Sequence, residues 1–159
     1  MKRRFALSCF FALWCIRWMP AYAQQTLKPA VWSSYDVTFG VPAGVTVEED
    51  SEEAYTVSTS VYYISLQLLD SEGLKRAELA DELKHVADDD GVTNRSAVKD
   101  FELPQFYGVQ LTGNCDPDPC IYCYLLAKDG SGGFYVSILY KDKSDKLPEK
   151  ILKSFKLVE

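Results

Sequence analysis

Tyr35, Val37 and Phe39 alternate with Asp36 and Thr38, the period of two expected of a strand with one buried face. The run Gly40 to Gly44, with Pro42 inside it, breaks that strand. Extended character returns at Val45 to Val47 and at Ala54 to Ser58. In Val61 to Leu69 the residues Tyr62, Ile64, Leu66 and Leu68 share one face, while Ser65 and Gln67 take the other. Asp70, Ser71 and Gly73 interrupt this pattern, and from Leu74 the period becomes helical. Leu79, Leu83, Val86 and Ala87 form one stripe, and Glu78, Asp81, Glu82 and Lys84 occupy the rest. Asp70 or Ser71 is placed to cap this helix and Gly91 to end it.

Beyond Pro104 three more strands are predicted, at about Phe106 to Leu111, Ile121 to Ala127 and Phe134 to Tyr140. Their short connections, rich in Asp, Gly and Pro, favour antiparallel neighbours. The last run carries apolar weight on both sides, as a central strand does. A closing helix follows, with Ser144 or Asp145 as cap, Pro148 in its first turn and Leu147, Ile151, Leu152 and Phe155 as its buried stripe. The class read from this order is α+β.

The N-terminus changes how the rest is counted. Lys2, Arg3 and Arg4 precede a mostly apolar stretch from Phe5 to Trp18, and Ala21-Tyr22-Ala23 matches the small-x-small pattern of a signal peptide cleaved after Ala23. Arg17 and Pro20 argue against a retained membrane span. The expected organisation is a cleavable signal over 1–23, a leader over 24–34 and one domain over 35–159. The expected location is the periplasm or the medium, with no transmembrane segment after cleavage.

Of 159 residues, 17 are basic and 23 acidic. Without the four basic residues Lys2, Arg3, Arg4 and Arg17, 13 remain against 23 acids, a net charge near −10. Such a surface repels nucleic acid phosphates and suits a cationic protein partner. Glu48, Glu49, Asp50, Glu52 and Glu53 concentrate the charge and, with Asp116 and Asp118, form the predicted contact surface. Asp88-Asp89-Asp90 lacks the alternating oxygen ligands of a calcium loop and is read as a solvated helix end.

Two passages carry a family resemblance. Tyr35-Asp36-Val37-Thr38-Phe39-Gly40-Val41-Pro42-Ala43-Gly44-Val45 resembles the opening of the PsbP/DcrB-like superfamily, and Pro148-Glu149-Lys150-Ile151-Leu152-Lys153-Ser154-Phe155-Lys156 resembles its closing helix. The resemblance spans about residues 35–157. It implies an antiparallel sheet flanked by helices on its two faces. It also implies mostly non-catalytic relatives: photosystem-associated subunits, a Ran-binding protein, envelope proteins and effector chaperones.

Cys9 and Cys15 leave with the signal, so three cysteines remain in Cys115-Asp116-Pro117-Asp118-Pro119-Cys120-Ile121-Tyr122-Cys123. An odd number in an oxidising compartment means one bridge and one thiol, or a bond between chains. On a strand Cys120 and Cys123 point to opposite faces, so Cys115 with Cys120 is the expected disulfide, closing a loop at about 2 kcal/mol of stabilisation. Cys123 is then a buried thiol beside Leu125 and Ala127. Two other readings use the same residues. Cys120-Ile121-Tyr122-Cys123 matches a C-x-x-C redox pattern, but it sits on a strand rather than at a helix start. Cys115, Cys120, Cys123 and His85, the only histidine, have a zinc site's ligand count without its paired spacing.

No nucleophile elbow accompanies His85, and Asp129-Gly130-Ser131-Gly132-Gly133 lacks the lysine and helix of a phosphate loop. The reading is an exported, non-enzymatic binding module without a cofactor. The alternative is a thiol-dependent enzyme or redox protein using Cys120 and Cys123.

Overall fold

The computed structural model describes residues 26–69 and 74–158. Residues 1–23, where a signal peptide is predicted, and the helix caps predicted at Asp70 or Ser71 lie outside the described residues. In chain order the elements are β1 (Lys28–Trp32), β2 (Val37–Val41), β3 (Thr46–Asp50), β4 (Ala54–Ser58), β5 (Tyr62–Leu68), α1 (Leu79–Asp89), β6 (Lys99–Glu102), β7 (Phe106–Cys115), β8 (Asp118–Ala127), β9 (Gly133–Tyr140), α2 (Leu147–Leu152) and β10 (Lys156–Leu157). A 3-10 turn, Ser33–Tyr35, joins β1 to β2, and another, Arg76–Glu78, leads into α1.

Seven strands form one sheet in the order β3-β4-β5-β9-β8-β7-β6, and three form a second in the order β1-β2-β10. Every pairing is antiparallel. The molecule is thus a single α+β domain, mostly antiparallel sheet with few helices. Strand β9 is the middle of the seven, which explains its two apolar faces: Phe134, Val136, Ile138 and Tyr140 are buried in one core, while Tyr135 and Leu139 pack against another.

Two layers of packing divide the large sheet's faces. One face meets the small sheet and α2 through Trp32, Val37, Phe39, Ile151, Leu152 and Phe155. The other meets α1, whose Leu79, Leu83 and Ala87 sit on Val109, Leu111 and Cys120. Of the two faces that the resemblance expects helices to flank, one carries α1, and the other is covered mainly by the three-stranded sheet, with the six-residue α2 beside it.

Several boundaries differ from the sequence reading: β3, β7 and β8 run longer than predicted, and the largest changes are in β1 and β2. Lys28–Trp32, placed there in a leader, form β1 and pair with Val37–Val41. Lys28 and Pro29 hide the strand pattern, whereas Trp32 is fully buried and pins it down. Tyr35 falls in a turn, and Asp36 takes a left-handed conformation at φ 50°, so β2 starts at Val37. The strand also continues through Gly40 to Val41, because the Gly40 N–H donates to Ser154 Oγ at 2.7 Å and ties β2 to the end of α2.

Strand β6 shows no period of its own in the sequence. It is held by Phe101, which lies over Gly108 on β7: a Cβ at Gly108 would stand 2.4 Å from the Phe101 ring. The ring thus fills the place a side chain would take. Gly91, at φ 66°, ends α1 where the pattern placed its stop.

Candidate functional site

Strands β7 and β8 meet in a tight hairpin at Asp116-Pro117, and Cys115 is bonded to Cys120 across it. Alternation along β8 puts Cys120 in the core under α1 and Cys123 in the opposite core with Leu125 and Ala127. Burial pushes the Cys123 thiol well above its ordinary range. This placement separates the ligands of the zinc reading, since Cys115 and Cys120 are bonded to each other and Cys123 faces away. His85 is exposed on α1. Among the described residues no group of three His, Cys, Asp or Glu side chains converges for a metal.

A buried, high-pKa thiol reacts slowly. Iodoacetamide should therefore leave Cys123 unmodified in the native protein and label it fully in denaturant, as read by peptide mapping. Rapid native labelling would restore the thiol chemistry.

The predicted acidic surface is not one surface. Glu48, Glu49 and Asp50 are exposed on β3, an outer strand of the large sheet, with Glu52 and Glu53 in the turn that follows. Asp116 and Asp118 lie at the β7-β8 hairpin, across β4, β5 and β9 from β3 in sheet order. Several of these acids serve locally. Glu48 accepts a hydrogen bond from the Ser58 hydroxyl, Glu49 one from Ser51, and Asp118 pairs with Lys141 at 2.6 Å. On an edge strand such charges also discourage pairing with another chain.

A further concavity lies between α1 and the exposed part of the sheet. It is a cleft of about 910 Å³. Its floor comes from β5, β9 and β8, where Ser65 pairs across to Ser137 and Ser137 to Tyr122, while Gln67 pairs to Tyr135 and Tyr135 to Tyr124. Its helical rim carries Glu78, Glu82, Val86 and Asp90, spaced by four residues so that they share one side of the helix.

Tyr135 holds its neighbours edge to face, at 5.6 Å from Tyr122 and 5.5 Å from Tyr124. Tyr122 donates to Asp90 Oδ2 at 2.7 Å and so ties the floor to the end of α1. The sequence reading places Asp90 in a solvated run at the helix end. The signal it passes over is the spacing of Glu78, Glu82 and Asp90 by multiples of four residues, beside the apolar stripe of α1.

Burial, and then the neighbouring Asp90 carboxylate, pushes the Tyr122 phenol up to about 12. Burial also raises Tyr124, with Glu82 and Asp90 adding to it, and raises Tyr135. These hydroxyls are held neutral in the folded chain, whereas unfolded tyrosine ionises near 10. Their contribution to stability is therefore complete below pH 10 and is lost as pH rises toward 12. A denaturation series should show a plateau below pH 10 and a fall above it, with the phenolates of Tyr122, Tyr124 and Tyr135 appearing only as the protein unfolds. Ionisation of these three near pH 10 in folded protein would contradict this.

Fold and cleft together define the class, a single α+β domain with an open polar groove between α1 and the large sheet. Two solved structures share that fold. The Ran-binding protein Mog1p of Saccharomyces cerevisiae superposes with a TM-score of 0.57 at 12% identity, over 85% of this chain and 97% of that one. A mutant of protein Mog1 gives 0.55 at 13% identity, over 84% and 97%. At these identities the likeness is one of fold. No curated protein matches the chain. The family described as dihydro-orotase-like matches residues 16–144, and the chain belongs to that family.

The resemblance to the PsbP/DcrB-like superfamily is thereby corrected. The family match is dihydro-orotase-like, and the structural neighbours are Mog1 proteins. The two passages behind that resemblance encode a strand ending in a Pro-Gly turn and an amphipathic terminal helix. Both are elements of local geometry, set by turn formers and by helical period rather than by family.

Proposed function

We propose that this chain is a non-enzymatic binding module that acts outside the cytoplasm on a positively charged protein partner. The observation that carries this reading is the chemistry of the cleft. Phenols, hydroxyls, an amide and carboxylates line it, while the unbonded thiol Cys123 is buried in the opposite core and His85 is absent from the lining. These groups suit recognition of a ligand, and among the described residues of the lining there is no thiol or imidazole to act on one. The likeness to a Ran-binding protein supports an interaction role for the fold. The signal pattern ending at Ala23 supports export, and no helix among the described residues is long and apolar enough to cross a membrane.

The test is capture of a partner from envelope extract and culture medium, followed by reconstitution of the complex from purified components at low and high salt. A reconstituted complex that weakens with salt supports the reading. Failure to reconstitute any complex counts against it.

The family name favours one other reading, an enzyme acting on dihydro-orotate. Incubation of the purified chain with dihydro-orotate should leave the compound unchanged. Turnover that disappears in His85→Ala would replace the binding reading.

A further inference from the structure

We infer that the cleft between α1 and the large sheet seats arginine or lysine side chains from an extended basic segment of the partner. This inference rests on the reading of the chain as a binding module and names what that module grips.

The cleft offers both halves of a cation site. Its floor presents phenol rings, with Tyr63 at 46% exposure the most open of them, and its rim presents the carboxylates of Glu78, Glu82 and Asp90. A guanidinium or ammonium over a tyrosine face gains from the ring quadrupole, and a neighbouring carboxylate adds charge. The floor hydroxyls of Ser65 and Ser137 can accept the remaining N–H groups.

Among the described residues the charge of the cleft is not neutralised from within: none of those lining it is lysine or arginine. The ion pairs among the described residues lie elsewhere. On α1 itself Lys84 pairs with Asp81 at 2.8 Å, and Arg95 reaches Asp88 at 2.5 Å, both on residues outside the cleft lining. The carboxylate of Glu78 accepts the Lys75 backbone N–H, and that of Asp90 accepts the Tyr122 hydroxyl, but neither bond supplies a positive charge.

The same chemistry is already used inside the molecule. Next to α1, Arg76 places its guanidinium 4.1 Å above the Tyr107 ring while its Nη2 meets Glu102 at 2.6 Å. A tyrosine face with an adjacent glutamate thus holds an arginine in this protein, and the cleft repeats that pair of groups without the arginine.

The length of the ladder sets the size of the ligand. From Glu78 to Asp90 a helical rise of 1.5 Å per residue gives about 18 Å, the reach of roughly five extended residues. Spacing by turns of the helix matches side chains that alternate along an extended peptide, every second one pointing to the rim.

The probe is a fluorescein-labelled hexapeptide of alternating arginine and glycine, with the glutamate-glycine peptide as control, titrated by fluorescence polarisation into the full chain. Glu82→Gln and Tyr63→Ala alter exposed positions, and circular dichroism checks that each variant is folded. The arginine peptide should bind and the glutamate peptide should not. Each variant should weaken binding about tenfold, and Glu49→Gln on β3 should leave it unchanged.

Equal binding to the wild type and both cleft variants overturns the inference, as does absence of arginine-peptide binding. If Glu49→Gln is the variant that weakens binding, the basic segment docks on the outer strand, and the binding-module reading survives the loss of the cleft. A reconstituted partner complex that is indifferent to Glu82→Gln and Tyr63→Ala likewise removes the cleft and leaves the module reading standing. Failure to reconstitute any complex strikes the module reading itself.

Discussion

Trp32→Ala is expected to lower the free energy of unfolding by roughly 3 to 5 kcal/mol, the range for truncating a fully buried aromatic residue. Trp32 has 0% exposure and ends β1. Its ring meets Tyr35 edge-on at 4.7 Å and lies 6.0 Å from Phe134 and 6.5 Å from Tyr55, so it bridges the small sheet to the large one. Its Nε1–H donates to the Ser51 carbonyl at 2.7 Å, which fixes the turn between β3 and β4.

Strand β1 pairs only with β2, and little besides this residue and the partly buried Leu27 and Ala30 anchors it to the core. Urea denaturation measures the effect. Trp32→Phe should recover part of the loss by refilling the cavity while still lacking the donor. A cost below about 1 kcal/mol for Trp32→Ala would mean that β1 is dispensable to the fold.

Leu83→Ala is expected to cost about 2 to 5 kcal/mol and to act on the other core. Leu83 is fully buried in the middle of the stripe with Leu79 and Ala87. An isolated helix of 11 residues is marginal in water, so α1 persists because this stripe packs on β7 and β8. Cutting the stripe at its centre should loosen the helix before the rest of the fold. Amide hydrogen exchange should quicken along Leu79–Asp89 while the β9 amides stay protected.

Because α1 supplies one wall of the cleft, the same variant should weaken the arginine peptide more than Glu82→Gln does. Uniform exchange across α1 and β9 would mean that the two cores unfold as one unit. Unchanged exchange in α1 would mean that other contacts hold it.

The strands that could be read from the sequence are those that carry their own period. In β5, β7, β8 and β9 one buried face alternates with another environment residue by residue, and α1 and α2 show their stripes just as openly. Strands β1, β6 and β10 were hidden for a common reason. Each lies at an edge, is short, and is held by another element rather than by its own alternation: β1 by Trp32, β6 by Phe101 over Gly108, and β10 by pairing of Lys156–Leu157 with Val37 and Thr38. The family resemblance misdirected for a related reason, since turn and helix residues report local geometry that many families share.

Cysteine placement was legible because it depends on local alternation: Cys120 and Cys123, three apart on one strand, face opposite cores whatever surrounds them. Charge and composition likewise followed from counting. The acidic contact surface did not, because runs of acids in sequence become neighbours in space only if the sheet order brings their strands together. Sheet order is set by long-range pairing, and here it leaves Glu49 and Asp118 on separated strands.

The α+β class, most of the strands and helices, the faces of Cys120 and Cys123 and the acidic excess can be read from the chain alone, because all of these arise from short-range periodicity or from summation. The seven-strand order, the small sheet over one core and the cleft over the other come from long-range pairing in the folded molecule. Glu78 and Glu82 meet Tyr63, Tyr124 and Tyr135 only after β5, β8 and β9 have paired and α1 has settled on the sheet. No window of sequence contains both walls of that groove.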